Sequence, residues 1–302
     1  MGKLQEIRRR DLPKLRDELA SYLPDSATIY GTLEILLNYG TLKNWETRVF
    51  TTRGKSSTLV VTTPMCTTPE SQSLSVFWDC NMDEDLEVTA ALSTLPGFNW
   101  DKPFFLYACP IHLHEKLSLM IENRGLGTGK LHPERLVRAH LYTITSETLT
   151  TPRYSEVLPK GFEIRRTDPQ FAEHMRTHWR YQDFESIEAY EQLIHVLPGY
   201  AIFETPKADE ESQDPRGKAH PTGAPVSWVH MSRSNTMGNT FTHPEYRRRG
   251  LAQAVTLALA AHVTRQSGKV SVYVSDENEA SVAFHKRLGF TRECTVGWQA
   301  FS

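Results

Sequence analysis

Phe241-Thr242-His243-Pro244-Glu245-Tyr246-Arg247-Arg248-Arg249-Gly250-Leu251-Ala252 joins a strand, a basic turn and a helix start. A strand pattern runs into a tight basic turn carrying glycine, then directly into a helix whose inward face is Leu251, Ala254, Val255, Ala258, Leu259 and Val263. The first amides of such a helix have no intrahelical acceptor, and the helix dipole adds partial positive charge there. The turn therefore suits a diphosphate. Gly250 lets the backbone approach a ligand closely. Three arginines at a helix N-terminus oppose the dipole, which is easier to explain if an anion sits among them. A solvated basic turn, or a short nucleic-acid or targeting patch, is the alternative reading of the same residues.

Working outward, 302 residues suit one large domain or two ordinary ones, and an apolar share of 39% permits a substantial core. Lys and Arg number 34 against 36 Asp and Glu, a net charge of −2, so no global field favours nucleic acid or an anionic membrane as partner. Cys66, Cys80, Cys109 and Cys294 form no C-x-x-C pair. They read as free thiols in a reducing compartment. His112, His114 and His132 lack a Cys, Asp or Glu cluster to complete a ligand set, so no metal is expected. No apolar run approaches the ~20 residues that span a bilayer, and an intracellular protein is expected. The basic start suggests mitochondrial import, but Glu6, Asp11, Asp17 and Glu18 interrupt it, and the cytoplasm stays open.

The pattern predicts an α/β protein. Leu4 to Tyr22 reads as an amphipathic helix, and Thr28 to Leu37, Trp45 to Thr52, Thr58 to Thr63 and Leu74 to Trp78 read as strands. Helices at Leu86 to Leu95 and Leu113 to Ile121 flank a strand at Phe104 to Ala108, and Leu136 to Ile144 closes this half as a strand. The Thr-, Ser- and Pro-rich segment Thr145 to Gly161 marks a boundary between residues 1–150 and 161–302. The second half reads as a strand, two helices, a strand, a polar loop from Glu204 to Gly223, two strands, a long helix, a strand, a helix and a final strand.

Arg247-x-x-Gly250-x-Ala252 resembles the signature with which the GNAT superfamily of N-acetyltransferases grips the diphosphate of coenzyme A. Asn278 through Leu288-Gly289-Phe290 resembles that superfamily's closing motif, with Asn278 as a helix N-cap and Gly289 at the helix stop. His285 falls where many members carry a tyrosine that protonates the leaving thiolate. A narrower resemblance, over nearly the whole chain, is to the glycine N-acyltransferase family. It is carried by Ser21 to Gly31, Phe98-Asn99-Trp100-Asp101, His178-Trp179, Leu197-Pro198, Pro225-Val226-Ser227-Trp228 and Thr242 to Arg247.

The resemblance implies a GNAT-like mixed sheet in the C-terminal half, an α/β companion domain before it, acyl-CoA as cosubstrate and a small amino acid or amine as acceptor. It places coenzyme A on Phe241, Thr242, Arg247, Arg248, Arg249, Gly250, Leu251, Ala252 and Asn278. One position departs: Thr236 stands where the family carries a glutamate proposed as general base, and threonine cannot serve as that base. His230, alternating with Trp228 along a strand, is the substitute candidate, with His243 and Glu245 behind it. Loss of catalysis, leaving an acyl-CoA-binding protein, is the competing expectation.

Overall fold

A computed structural model describes residues 3–40, 46–52, 59–66, 72–79, 85–123, 125–149, 157–205 and 223–302. The first half supplies strands β1 (Leu4–Glu6), β2 (Arg48–Thr52), β3 (Leu59–Thr63), β4 (Gln72–Trp78), β5 (Phe104–Pro110) and β6 (Val137–Thr145). The second supplies β7 (Phe162–Arg166), β8 (Gly199–Glu204), β9 (Ser227–Met231), β10 (Thr236–Thr242), β11 (Lys269–Ser275) and β12 (Thr291–Phe301). They join in one sheet of order β1-β2-β3-β4-β5-β12-β6-β11-β10-β9-β8-β7. Adding six to each number in the first half and subtracting six in the second returns the same order read backwards. The halves are therefore topological repeats that exchange their last strands.

The exchange is extensive. β6 pairs antiparallel with β11 from Ser275↔Ala139 to Lys269↔Thr145, while β12 pairs with both β6 and β5. Only β4 with β5 and β10 with β11 run parallel. Burial follows the exchange: Phe301 of β12 stacks on Phe104 in the first-half core at 4.7 Å, and Tyr142 and Ile144 of β6 enter the second-half core around Trp228 and Tyr190.

Helices cover the sheet: α1 (Leu12–Ala20), α2 (Ala27–Tyr39), α3 (Asp85–Leu92), α4 (Ile111–Glu122), α5 (Ala172–Thr177), α6 (Ile187–Val196), α7 (Leu251–Ser267) and α8 (Glu279–Arg287). None among the described residues is long and apolar enough to cross a membrane. Two expectations are corrected. Leu4 to Glu6 is a strand on β2 rather than the start of a helix, because Pro13 sits in the first turn of α1 and the helix begins only at Leu12. Thr28 to Leu37 is helix, not strand. α2 lies between the two cores, with Ile29, Leu33 and Leu36 in one and Ile35 in the other. A helix apolar on both sides loses the one-faced period and reads like a buried strand. Residues 206–222 of the expected polar loop and 150–156 of the expected boundary lie outside the described residues.

α2 sits hard against the β9–β10 hairpin. A Cβ on Gly31 would stand 2.0 Å from the Ser234 carbonyl oxygen, a backbone atom that cannot swing aside. Gly31→Ala should therefore separate α2 from the hairpin and cost about 1–3 kcal/mol, read as a lower urea midpoint at an unchanged m-value.

Candidate active site

β10 and β11 pair through only two positions, Thr236↔Ser271 and Met237↔Val272, and then part. β6 holds β11 along its whole length, so β11 cannot follow β10, and β9 draws β10 the other way. A one-residue bulge lies between Gly238 and Phe241 on β10, with Asn239 at φ +49°. The result is a wedge opening toward the end of β10, lined by strand-edge amides that have lost their ladder partner.

The basic turn closes the mouth of this wedge. Gly250 is the N-cap of α7 at φ +82° and Arg248 also has positive φ, at +60°. The first intrahelical bond runs from the Ala254 N–H to the Gly250 carbonyl at 3.0 Å, which leaves the amides of Leu251, Ala252 and Gln253 ahead of it. Arg247 Nε donates to the Thr242 carbonyl at 3.1 Å and ties the turn to the strand end. Arg249 lies over the Phe162 ring at 4.7 Å. Arg247, Arg248, Arg249 and Gly250 are all exposed. Around Gly250 the nearest atom to a Cβ would be the Val157 carbonyl oxygen at 3.6 Å, so space for an anion exists. The residues fit a diphosphate.

Phe241 and Thr242 end β10, where Ser227 Oγ donates to the Phe241 carbonyl at 2.9 Å and lies 2.7 Å from Thr242 Oγ1. Asn278 caps α8, its side-chain oxygen accepting from the Ser281 N–H at 3.1 Å. Thr236 is the first residue of β10, buried, with its hydroxyl 2.8 Å from Ser232 Oγ and 3.2 Å from Ser234 Oγ. It lines a cleft of about 800 Å³ shared with Tyr30, Gly31 and Glu34 of the first half.

His230 is buried, and both ring nitrogens are engaged. Nδ1 lies 3.0 Å from the Met231 carbonyl, and Nε2 lies 2.9 Å from the Tyr190 hydroxyl, which also accepts from the Asn239 amide. One proton arrangement satisfies the chain: Asn239 donates to Tyr190, Tyr190 to His230 Nε2, and His230 Nδ1–H to the carbonyl. Burial pushes the imidazole down to about 4. The Nε2 lone pair of His230 accepts from Tyr190, and through Tyr190 the ring anchors Asn239 at the β10 bulge.

His285 is buried on α8, with Nδ1 2.9 Å from the Ser281 carbonyl, and Nε2 has no hydrogen-bond partner among the described residues. Burial lowers its pKa.

Sequence reasoning missed three features. Asn239 gives no local signal, because a bulge is defined by the partner strand. A buried ion pair joins Arg233 of the hairpin to Glu185 before α6 in two bonds of 2.8 and 2.5 Å, and neither residue sits in a motif. The third is a cluster of His174, His178 and His243. Its i,i+4 spacing on one helix was legible, whereas its third member joins only in space. His112, His114 and His132 do not form a set with one another: His112 lies 4.0 Å from Asp25, and neither ring nitrogen of His114 finds a partner among the described residues.

With this geometry in view, residues 218–299 match the FR47-like protein family. Comparison with curated proteins returns no match. Among solved structures, a Drosophila melanogaster protein superposes with a TM-score of 0.78 at 16% identity, covering 100% of this chain and 99% of that one. A tandem GNAT protein from the clavulanic acid biosynthesis pathway gives 0.58 at 13% identity, covering 99% and 97%. A GCN5-related N-acetyltransferase-like protein from Streptococcus suis gives 0.51 at 15%, covering 98% and 100%. At these identities the likeness is one of fold: the mixed sheet with its flanking helices matches tandem GNAT folds.

Two outcomes follow for the site. Gly250→Val places a branched side chain at φ +82° where an anion must approach, and coenzyme A affinity by calorimetry should fall at least tenfold with the circular dichroism spectrum retained. The buried histidines contribute to the loss of stability in acid. His230 and His114 are held down to about 4 and His285 is lowered too, each chiefly by burial. Between pH 6.5 and 4 the unfolded chain binds protons that the folded chain refuses, so stability is full above about 6.5 and declines as pH falls. His114→Leu should flatten this decline in urea titrations without loss at pH 7, since it removes a buried polar ring lacking partners.

Proposed function

We propose that this protein is an acyl-CoA-dependent N-acyltransferase in which the amino group of glycine or another small amino acid attacks the thioester directly. The observation that carries this reading is the wedge between β10 and β11, with a basic helix-N-terminal turn at its mouth. Arg247 to Ala252 hold the diphosphate through backbone amides and guanidinium groups. A β10 amide freed at the bulge faces the thioester carbonyl and stabilises the charge that develops on its oxygen. The new N–C bond forms as the C–S bond breaks, and one proton must pass from the ammonium to the departing sulfur.

The resemblance puts His285 where the family's proton donor to the thiolate stands, and it is the candidate for that step. Its Nδ1–H is held by the Ser281 carbonyl, and its Nε2 is buried without a hydrogen-bond partner among the described residues. His230 is a positioning residue, acting through Tyr190 on Asn239. The cleft lined by Thr236 is the acceptor's side, in keeping with the resemblance that puts a catalytic carboxylate at that position. No covalent enzyme intermediate is required. The absence of that carboxylate favours the second reading, a protein that binds acyl-CoA without turnover.

Thiol release across a panel of acyl-CoAs and amino acids, with mass spectrometry of the products, separates the two. An N-acyl amino acid with stoichiometric coenzyme A is the expected result. Tight acyl-CoA binding with no release for any acceptor would establish the second reading. With an acceptor in hand, His230→Ala and Tyr190→Phe should each lower kcat by up to about 10²-fold at unchanged acyl-CoA affinity. A direct base would instead leave Tyr190→Phe near wild type and would shift the pH profile on loss of His230.

A further inference from the structure

We propose that His174, His178 and His243 form a binding site for one divalent cation of the zinc class. It ties helix α5 to the strand end that leads into the basic turn. His174 and His178 stand four residues apart on α5 and its C-cap, one above the other on a single helix face. His243 comes from the far end of β10, immediately after Thr242. The three rings offer ligand atoms that all lie within 4.8 Å of one another.

The separations fit a shared metal as well as a hydrogen bond. His174 Nε2 and His243 Nε2 lie 3.2 Å apart. Two imidazole nitrogens on a tetrahedral zinc, each at 2.0–2.1 Å, stand about 3.3 Å apart. His178 is exposed. Its tautomer is already selected. His178 Nδ1 lies 2.8 Å from the His174 carbonyl, to which it donates, and this leaves the Nε2 lone pair for a ligand. A histidine that gives its other N–H to a backbone carbonyl is the usual outer arrangement of a metal-bound imidazole.

Aromatic rings wall the cluster. The indole of buried Trp228 lies 5.5 to 5.9 Å from all three rings, and Phe241 flanks His178 at 5.0 Å and His243 at 5.1 Å. Three histidines without thiolate or carboxylate select zinc, copper or nickel over magnesium or calcium, and leave a fourth position to water. Because the ligands come from two elements, the cation is a cross-link between α5 and the end of β10. This inference does not rest on the acyl-transfer reading, since it is read by metal binding alone.

The test uses the full chain, stripped with chelator and titrated with Zn²⁺ by calorimetry. Co²⁺ serves as a spectroscopic probe, because four-coordinate cobalt absorbs far more strongly in the visible than six-coordinate cobalt. One equivalent of zinc, intense cobalt bands and a zinc-dependent rise in melting temperature are expected. His178→Ala, at an exposed position, should fold normally and weaken zinc at least about tenfold. His174→Gln and His243→Gln should abolish the cobalt bands, and His132→Gln, outside the cluster, should leave them intact. If His178→Ala binds zinc as tightly as wild type, or wild type binds no equivalent, the inference is overturned. The His174 to His243 contact is then a hydrogen bond only.

Discussion

The site depends on one constraint: β11 is bound on both sides for two residues and on one side thereafter. β6, a strand from the other half of the chain, pairs with β11 from end to end and keeps it straight while β10 bends away through its bulge. If β6 stayed in its own half, β11 would be an edge strand free to follow β10, and the wedge would close. Strand exchange therefore does two things. It completes both sheets without exposed inner edges, and it fixes the opening into which the helix N-terminus points.

The two halves share this topology but not its chemistry. After β10 the chain carries Arg247 to Arg249 and Gly250 before α7. At the matching point after β4 the sequence carries Asp79, Asp83, Glu84 and Asp85 where the second half carries its arginines. The first half serves the second as a wall. Gly31 of α2 abuts the Ser234 carbonyl, Phe105 of β5 meets Phe184 at 4.5 Å, and Tyr30 and Glu34 line the cleft with Thr236.

Buried polar groups near the wedge are arranged to hold shape. Glu185 takes two bonds from Arg233, and its backbone carbonyl takes a third from Arg176 Nε at 2.8 Å, so the segment before α6 is locked to the β9–β10 hairpin. Removing one member of such a pair strands a buried charge, typically at about 3–5 kcal/mol. The Asn239, Tyr190 and His230 chain fixes the bulge from the other side. Together these contacts make the wedge a rigid feature of the fold, as electrostatic preorganisation requires.

Sequence alone determined the features that are local. The basic turn, Gly250 as N-cap of α7, Asn278 as N-cap of α8 and most strands follow from patterns within a dozen residues, because capping, dipole and side-chain period act over that range. α2 was misread because burial from two sides erases a one-sided period. The exchange of β6 and β12, the bulge at Asn239, the engagement of His230 by Tyr190, and the meeting of His174 and His178 with His243 could come only from tertiary structure. The bulge depends on the register of β10 against β9, the others on a strand or side chain that arrives from 40 or more residues away, and no local propensity encodes either.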